Sequence, residues 1–157
     1  MTNLVPSWAP NVHPLLVHFP IGLLLAALVV DLLALLLRNT WLRHHATFLY
    51  VLGTLASVAA YFTGRAAAQS VWMPGMAQAV VGDHWEWAFR AVCFFGVLSL
   101  VRLVLLWPRR SSAKAAAHPA VIAALVLAGL VGAALLVKTG DRGGQLVYSF
   151  RVGTSRE

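Results

Sequence analysis

Few side chains in this sequence can do chemistry, since only 11% of its 157 residues are charged and six are histidine. The sharpest arrangement is His13 and His18 at the mouth of a long apolar segment, with His84 at the start of a later one. Imidazoles on two different helices can approach an iron from opposite sides, so His18 and His84, with His13 as a third candidate, suit the axial positions of a b-type haem. The competing reading is a structural polar cluster in which these histidines cap helices and bond loop atoms. Depth favours caution about the haem pair, because His18 lies about one turn, roughly 5 Å, deeper than His84. Zinc held by His13, His18 and a carboxylate is disfavoured, because the i, i+5 spacing does not bring both rings to one helical face. No metal-ion site is expected.

Asp31 and Arg102 carry a second argument. Each falls inside an apolar run, and both lie about 7–9 Å from the same membrane boundary at 1.5 Å per residue. Equal depth predicts an ion pair between the first and third helices that neutralises both charges. The alternative is that Arg102 snorkels to the surface while Asp31 faces water or is protonated. Glu86 and Arg90 stand four apart in the order that favours a same-face pair. Arg65, Glu86, Arg90, Asp141 and Arg142 form an expected polar cluster at the end that carries the histidines. Ionisable groups in or beside a membrane are costly enough to raise a functional hypothesis.

Several chemistries have no residues to support them. The sequence contains no nucleophile elbow, HExxH, phosphate loop or CxxCH, and no repeated carboxylates on one helix. The expectation is a protein that is not an enzyme. Four helices without evident inverted repeats also argue against transport, so proton or solute translocation through Asp31 ranks third. The formal charge of +7 does not indicate nucleic acid, because the basic residues sit in short links between apolar runs, where they set orientation and meet lipid.

The elements that must position these residues are membrane helices. A composition 60% hydrophobic belongs to the membrane class, and about 20 apolar residues suffice to span a bilayer. One domain of four helices is expected, over about residues 14–37, 46–67, 84–107 and 119–138. Pro14 suits a first turn, where its missing N–H has no partner to lose. Pro20 should kink helix 1 near His18. Residues 68–84 read as the longest loop, with a short interfacial helix over 74–81. Residues 139–144 (TGDRGG) read as a turn, and 145–152 as one short strand. Small residues at four-residue spacing mark close packing: Ala56, Ala60 and Gly64, Gly53 and Ser57, then Ala124, Ala128 and Gly132. Cys93, the single cysteine, falls in an apolar run and reads as a packing residue. The N-terminal stretch lacks the basic region of a cleaved signal, so helix 1 is expected to be retained.

Orientation follows from Arg38 and Arg43 in the first link and Arg109, Arg110 and Lys114 in the third. The positive-inside rule places those links in the cytoplasm and both termini outside. Lys138, Arg142, Arg151 and Arg156 dissent, but early helices usually dominate. Trp8, Trp72, Trp85 and Trp87 then mark one interface, Trp41 and Trp107 the other.

Residues 13–23 (HPLLVHFPIGL) and 139–148 (TGDRGGQLVY) resemble the HPxxVHFPIGL and TGxxGGxLVY stretches of a family of small bacterial four-helix membrane proteins, catalogued as a domain of unknown function. The resemblance covers nearly the whole chain. It implies an electron-transport setting, since some members carry or neighbour Rieske iron–sulfur or cytochrome c modules. Relatives often continue the tail with a histidine and glycines, where this chain has residues 149–153 (SFRVG).

The fold expected is all-α, a polytopic membrane four-helix bundle with a short extended tail, in a bacterial inner membrane with both termini periplasmic. The expected function is a non-catalytic subunit of a respiratory or photosynthetic electron-transfer complex. Gln145, Leu146, Val147 and Tyr148 would dock partner chains by adding a strand, with lipid around the bundle and a quinone nearby. The runner-up is a haem b carrier. Single cysteines at His13→Cys and Asp141→Cys, in a Cys93→Ala background, should react with an impermeant maleimide from the same side of the membrane. Labelling from opposite sides would remove the common polar end.

Overall fold

A computed structural model describes residues 11–106 and 119–154. Four helical spans are long and apolar enough to cross a membrane: His13–Leu36, Thr40–Ser70, Gly75–Leu105 and Pro119–Tyr148. The first span is α1 (His13–Leu16) followed by α2 (His18–Leu36). Asn11 Oδ1 accepts the His13 backbone N–H at 3.1 Å, and Pro14 occupies the first turn. The break falls at Val17, because Pro20 has no N–H to offer the carbonyl four residues earlier. The interruption falls next to His18, where a kink is expected, with Val17 itself keeping helical dihedrals (φ −61°, ψ −24°).

The link to α3 (Thr40–Ser70) is only residues 37–39. Arg38 turns the chain at φ 49°, and extended Asn39 caps α3 by accepting from the N–H groups of Trp41 (2.9 Å) and Leu42 (3.3 Å). The expected loop over residues 41–45 is instead the first turn of α3. His44 and His45 bond the carbonyls of Thr40 and Trp41 one turn back, at 2.7 and 2.9 Å. With 31 residues, α3 is about 46 Å long and extends past a hydrocarbon layer of about 30 Å.

The long loop expected over 68–84 contracts in the same way. A 3₁₀ turn over Gly75–Ala77 leads directly into α4 (Gln78–Leu106), so no separate interfacial helix forms at 74–81. The largest correction lies at the C-terminus. Helix α5 runs Pro119–Tyr148, through the residues read as a glycine turn and a strand. Gln145, Leu146, Val147 and Tyr148 are helical and offer no extended edge for strand addition. Phe150 N–H then bonds the Gln145 carbonyl and Val152 N–H that of Leu146, at 3.2 and 2.9 Å, closing the helix end. Each glycine costs about 1 kcal/mol in a water-exposed helix, but next to lipid every unpaired backbone group costs more. Continuing the ladder prevails. Trp8, Trp107, Arg109, Arg110, Lys114, His118 and Arg156 lie outside the described residues.

The spans pack in a ring, α2 on α3, α3 on α4, α4 on α5 and α5 back on α2. Leu24, Ala27, Tyr50, Phe95 and Leu98 form the centre. Gly129 gives room to Tyr50 and Leu28, and Gly132 to Phe95. On α3 Gly53 and Ser57 of one expected stripe and Ala60 of the other are buried, together with Ala46, while Ala56 and Gly64 are half-buried. On α5 the buried small residues are Gly129 and Gly132, while Ala124 is exposed. Cys93 is also exposed rather than packed in the core. Outer surfaces carry Phe19, Phe48, Phe62, Val97 and Leu127, each more than half exposed. An apolar core that holds a few partnered polar groups, inside an equally apolar exterior, is the distribution that a lipid solvent selects.

At one end of this core the predicted ion pair is present. Arg102 donates from Nη1 to Asp31 Oδ2 at 2.6 Å and from Nη2 to Oδ1 at 2.5 Å, with 2% and 5% of the side chains exposed. Arg102 Nε donates to Thr47 Oγ1 at 3.2 Å, and Thr47 donates to the Arg43 carbonyl at 3.0 Å. The guanidinium lies 4.4 Å from the Tyr50 ring centre. Removing two charges from water is costly, and a bidentate contact with these further partners offsets it. Asp31→Leu should lower stability in mixed-micelle unfolding by about 3–5 kcal/mol, because it strands Arg102. The double change Asp31→Leu with Arg102→Leu should recover most of that loss.

Candidate functional site

The opposite end of the bundle gathers the starts of α1 and α4 and the ends of α3 and α5. His13 reaches α3, where its Nδ1 lies 3.3 Å from Thr63 Oγ1. The Thr63 hydroxyl can also donate within α3, to the carbonyls of Ala59 (3.0 Å) and Ala60 (3.1 Å). The His13–Thr63 contact runs in either direction according to the tautomer of the ring. The Ala60 carbonyl also lies beside the ring without meeting hydrogen-bond geometry. His84 reaches α5, with Nδ1 3.0 Å from the Thr139 carbonyl oxygen. A carbonyl only accepts, so the proton sits on Nδ1. Both rings are half-buried.

Each imidazole is seated against a glycine of the neighbouring helix. A Cβ built at Gly64 would lie 2.8 Å from His13 Cε1, and one at Gly143 would lie 3.2 Å from His84 Cε1. By contrast, Gly22 and Gly96 have open space around them. The seats at Gly64 and Gly143 are thus close approaches between backbone and ring: a side chain at Gly64 would force the His13 ring to shift, and one at Gly143 would press on His84 by a few tenths of an ångström.

The remaining predicted residues separate into smaller groups. His18 is exposed on α2, and among the described residues no hydrogen bond or ring contact joins it to His84, which bonds Thr139 on α5 instead. Arg65 lies over the Trp85 ring with Cζ 5.4 Å from its centre. Glu86 and Arg90 pair at 2.8 Å with more than half of each side chain exposed, and Arg90 stacks on Trp87 at 4.7 Å. Arg142 lies 3.7 Å from Asp83 and donates to Gln145 Oε1 at 3.0 Å, while Gln145 Nε2 donates to Asp141 at 3.3 Å. The Glu86–Arg90 pair belongs to the exposed rim, where solvent screens it, while Arg142 is largely covered. An open groove of about 660 Å³ between Tyr61, Trp85 and Phe89 runs alongside, with Asp83 and Glu86 at its edge.

The sequence reading gives Thr63 no role, and gives Gly64 only a place in a close-packing stripe. Thr139 and Gly143 belong to the TGxxGG stretch, and its glycines were read as a turn. The signal available was that both histidines had small residues at a matching membrane depth on the next helix.

These features define a class, a four-helix polytopic membrane protein with two inward imidazoles at one mouth and a buried ion pair near the other. The chain belongs to the family described as "Predicted membrane protein (DUF2231)", whose model matches residues 9–156. No curated protein and no solved structure matches it.

Gly64→Ala should lower the unfolding midpoint in mixed micelles, because the added methyl displaces His13 at a cost of about 1–3 kcal/mol. Gly22→Ala and Gly96→Ala should raise it, each by about 0.5–1 kcal/mol. Equal effects at all three positions would show that the imidazole seat is not tight.

Proposed function

We propose that this chain is a non-catalytic integral subunit of a bacterial electron-transfer assembly, respiratory or photosynthetic, that stabilises or docks partner chains. In this reading it sits in the inner membrane with both termini on the periplasmic side, as the Lys and Arg distribution of the short links favours. The observation that carries the reading is α5. It is the most apolar span, yet only 17% of its most apolar stretch is buried, against 28–33% in the others. Its outer face presents Leu127, Leu130, Val131 and Val137 within the span, then Tyr148, 87% exposed, at the helix end. Tyrosine at such a position suits a partner contact as well as a membrane interface. Docking by an added strand is replaced by docking of a helix face.

The closed interior supports a subunit over a translocator. The buried polar side chains among the described residues are Asp31, Thr47, Ser57, Ser99 and Arg102. Asp31 and Arg102 hold each other, Ser57 bonds the Gly53 carbonyl at 2.9 Å, and Ser99 meets Thr54 at 2.9 Å. A conducting path needs polar groups that exchange partners; these side chains are engaged, and the Tyr50 hydroxyl, buried without a hydrogen-bond partner, is the exception. The redox setting is what the resemblance carried by residues 13–23 and 139–148 implies.

Affinity purification of the tagged chain from its native membrane in mild detergent should recover a haem- or iron–sulfur-containing membrane complex in stoichiometric amount. Leu130→Lys with Val137→Lys on the α5 face should reduce that recovery at least tenfold. Elution of the native chain alone would overturn the subunit reading.

A further inference from the structure

We propose that the groove between α3 and α4, at the mouth that carries His13 and His84, holds one phospholipid with a primary-amine headgroup, taken up sideways from the bilayer. The proposal stands apart from the subunit reading, because its occupant is a lipid and not a partner chain.

The groove measures about 660 Å³, and its lining includes Tyr61 of α3 with Gly82, Asp83, Trp85, Glu86 and Phe89 of α4. Ligand sites commonly enclose about 300–1,000 Å³ and combine aromatic walls with a few polar groups. Here the two kinds of group are separated along the length. Asp83 and Glu86 stand toward the start of α4, and Phe89 follows Asp83 by six residues, about 9 Å deeper. The Phe89 ring leans on Tyr61, with centres 6.0 Å apart, and Tyr61 in turn meets Phe62. Phe62 and Phe89 are both more than half exposed on spans that cross the membrane, so the deep end opens toward hydrocarbon. An occupant with a polar head and an apolar tail matches that polarity. A small soluble cation leaves the deep end unused.

The sign of the head follows from the lip. The chain has a formal charge of +7 and only five Asp and Glu residues, yet two of the five line this groove. Carboxylates accept and do not donate, and aromatic faces attract cations. The same surface already places Arg65 over Trp85 and Arg90 over Trp87. Glu86 gives Oε2 to Arg90 and keeps acceptor capacity on its other oxygen. Among the described residues Asp83 accepts no hydrogen bond. Its cation partner is Arg142, with Nε 3.7 Å away, too far for a hydrogen bond. That Nε–H is itself covered and without a hydrogen-bond partner. An acceptor and a donor thus stand side by side unbonded. A head that carries both an ammonium and a phosphate complements the pair, the first meeting Asp83 and Glu86, the second meeting Arg142. A trimethylammonium head has no N–H to donate, and a glycerol head has no cation.

The test is to strip lipid from the purified chain in detergent and titrate it with phosphatidylethanolamine, phosphatidylcholine and phosphatidylglycerol of matched acyl chains, reading bound lipid by native mass spectrometry. One phosphatidylethanolamine per chain is expected, retained at least tenfold more tightly than either other lipid. Asp83→Asn with Glu86→Gln should remove that preference, and Asp141→Asn, at the same end but outside the groove, should leave it unchanged. Gly82→Leu should abolish retention, because it adds bulk to the lining at a position where a Cβ meets nothing within 4 Å. An undiminished unfolding midpoint in Gly82→Leu would mark that loss as occlusion of the groove. Should the midpoint fall, the two carboxylate changes decide alone. Equal retention of the three lipids would overturn the proposal, as would a preference for phosphatidylglycerol or one that survives the carboxylate changes. Glycerophosphoethanolamine, which has the head without acyl chains, should bind at least tenfold more weakly than the lipid, and equal binding would overturn uptake from the bilayer.

Discussion

Opposite charges at equal depth on two helices fix the relation between those helices more tightly than apolar packing does. Asp31 on α2 and Arg102 on α4 meet in two parallel hydrogen bonds, and α3 contributes Thr47 to the guanidinium edge and Tyr50 to its face. Apolar side chains in lipid gain little by leaving it, because the hydrocarbon outside resembles the core inside. A charge pair is different: its alternatives are all expensive. The contact therefore sets both the rotation and the axial register of three helices. Tyr50 passes that register to α5, since its hydroxyl end is seated at Gly129.

Register at the ion pair has consequences at the other mouth. Helices of roughly 30 residues transmit an axial position along their whole length, and the imidazole seats depend on it. His13 must arrive at Thr63 and Gly64 while His84 arrives at Thr139 and Gly143. A slip of one residue on α4 would rotate His84 by about 100° around its helix and remove it from the Thr139 carbonyl. The two polar features of this bundle are thus coupled through rigid helices. One holds the helices in register, and the other uses that register to orient two rings.

The surface completes the division of labour. Rim charges such as Glu86 with Arg90 stack on tryptophans and remain accessible. The lipid-facing sides carry large apolar residues, and α5 shares least of its surface with its neighbours. A helix so placed is available for another chain without disturbing either polar site, because neither Asp31–Arg102 nor the imidazoles lie on its outer face.

Four spans, the Val17 break after Pro14 and before Pro20, and the Asp31–Arg102 pair were legible in the sequence by itself. Each follows from a one-dimensional quantity: apolar length, the missing proline N–H, or equal distance from a boundary. The common end of His13, His84 and Arg65 was legible as well, because alternating spans dictate it. Helix ends were not. Residues 40–45, 78–83 and 139–148 carry turn-forming or polar residues that would end a helix in water, yet near lipid the unpaired backbone prolongs it. The partner of His84 was also decided only in three dimensions. His13 and His18 lie five residues apart, and rotation about the helix past Val17 sends His18 outward and His13 to α3. Which residue faces inward depends on the packing of neighbouring helices, and no spacing within a single apolar run contains it.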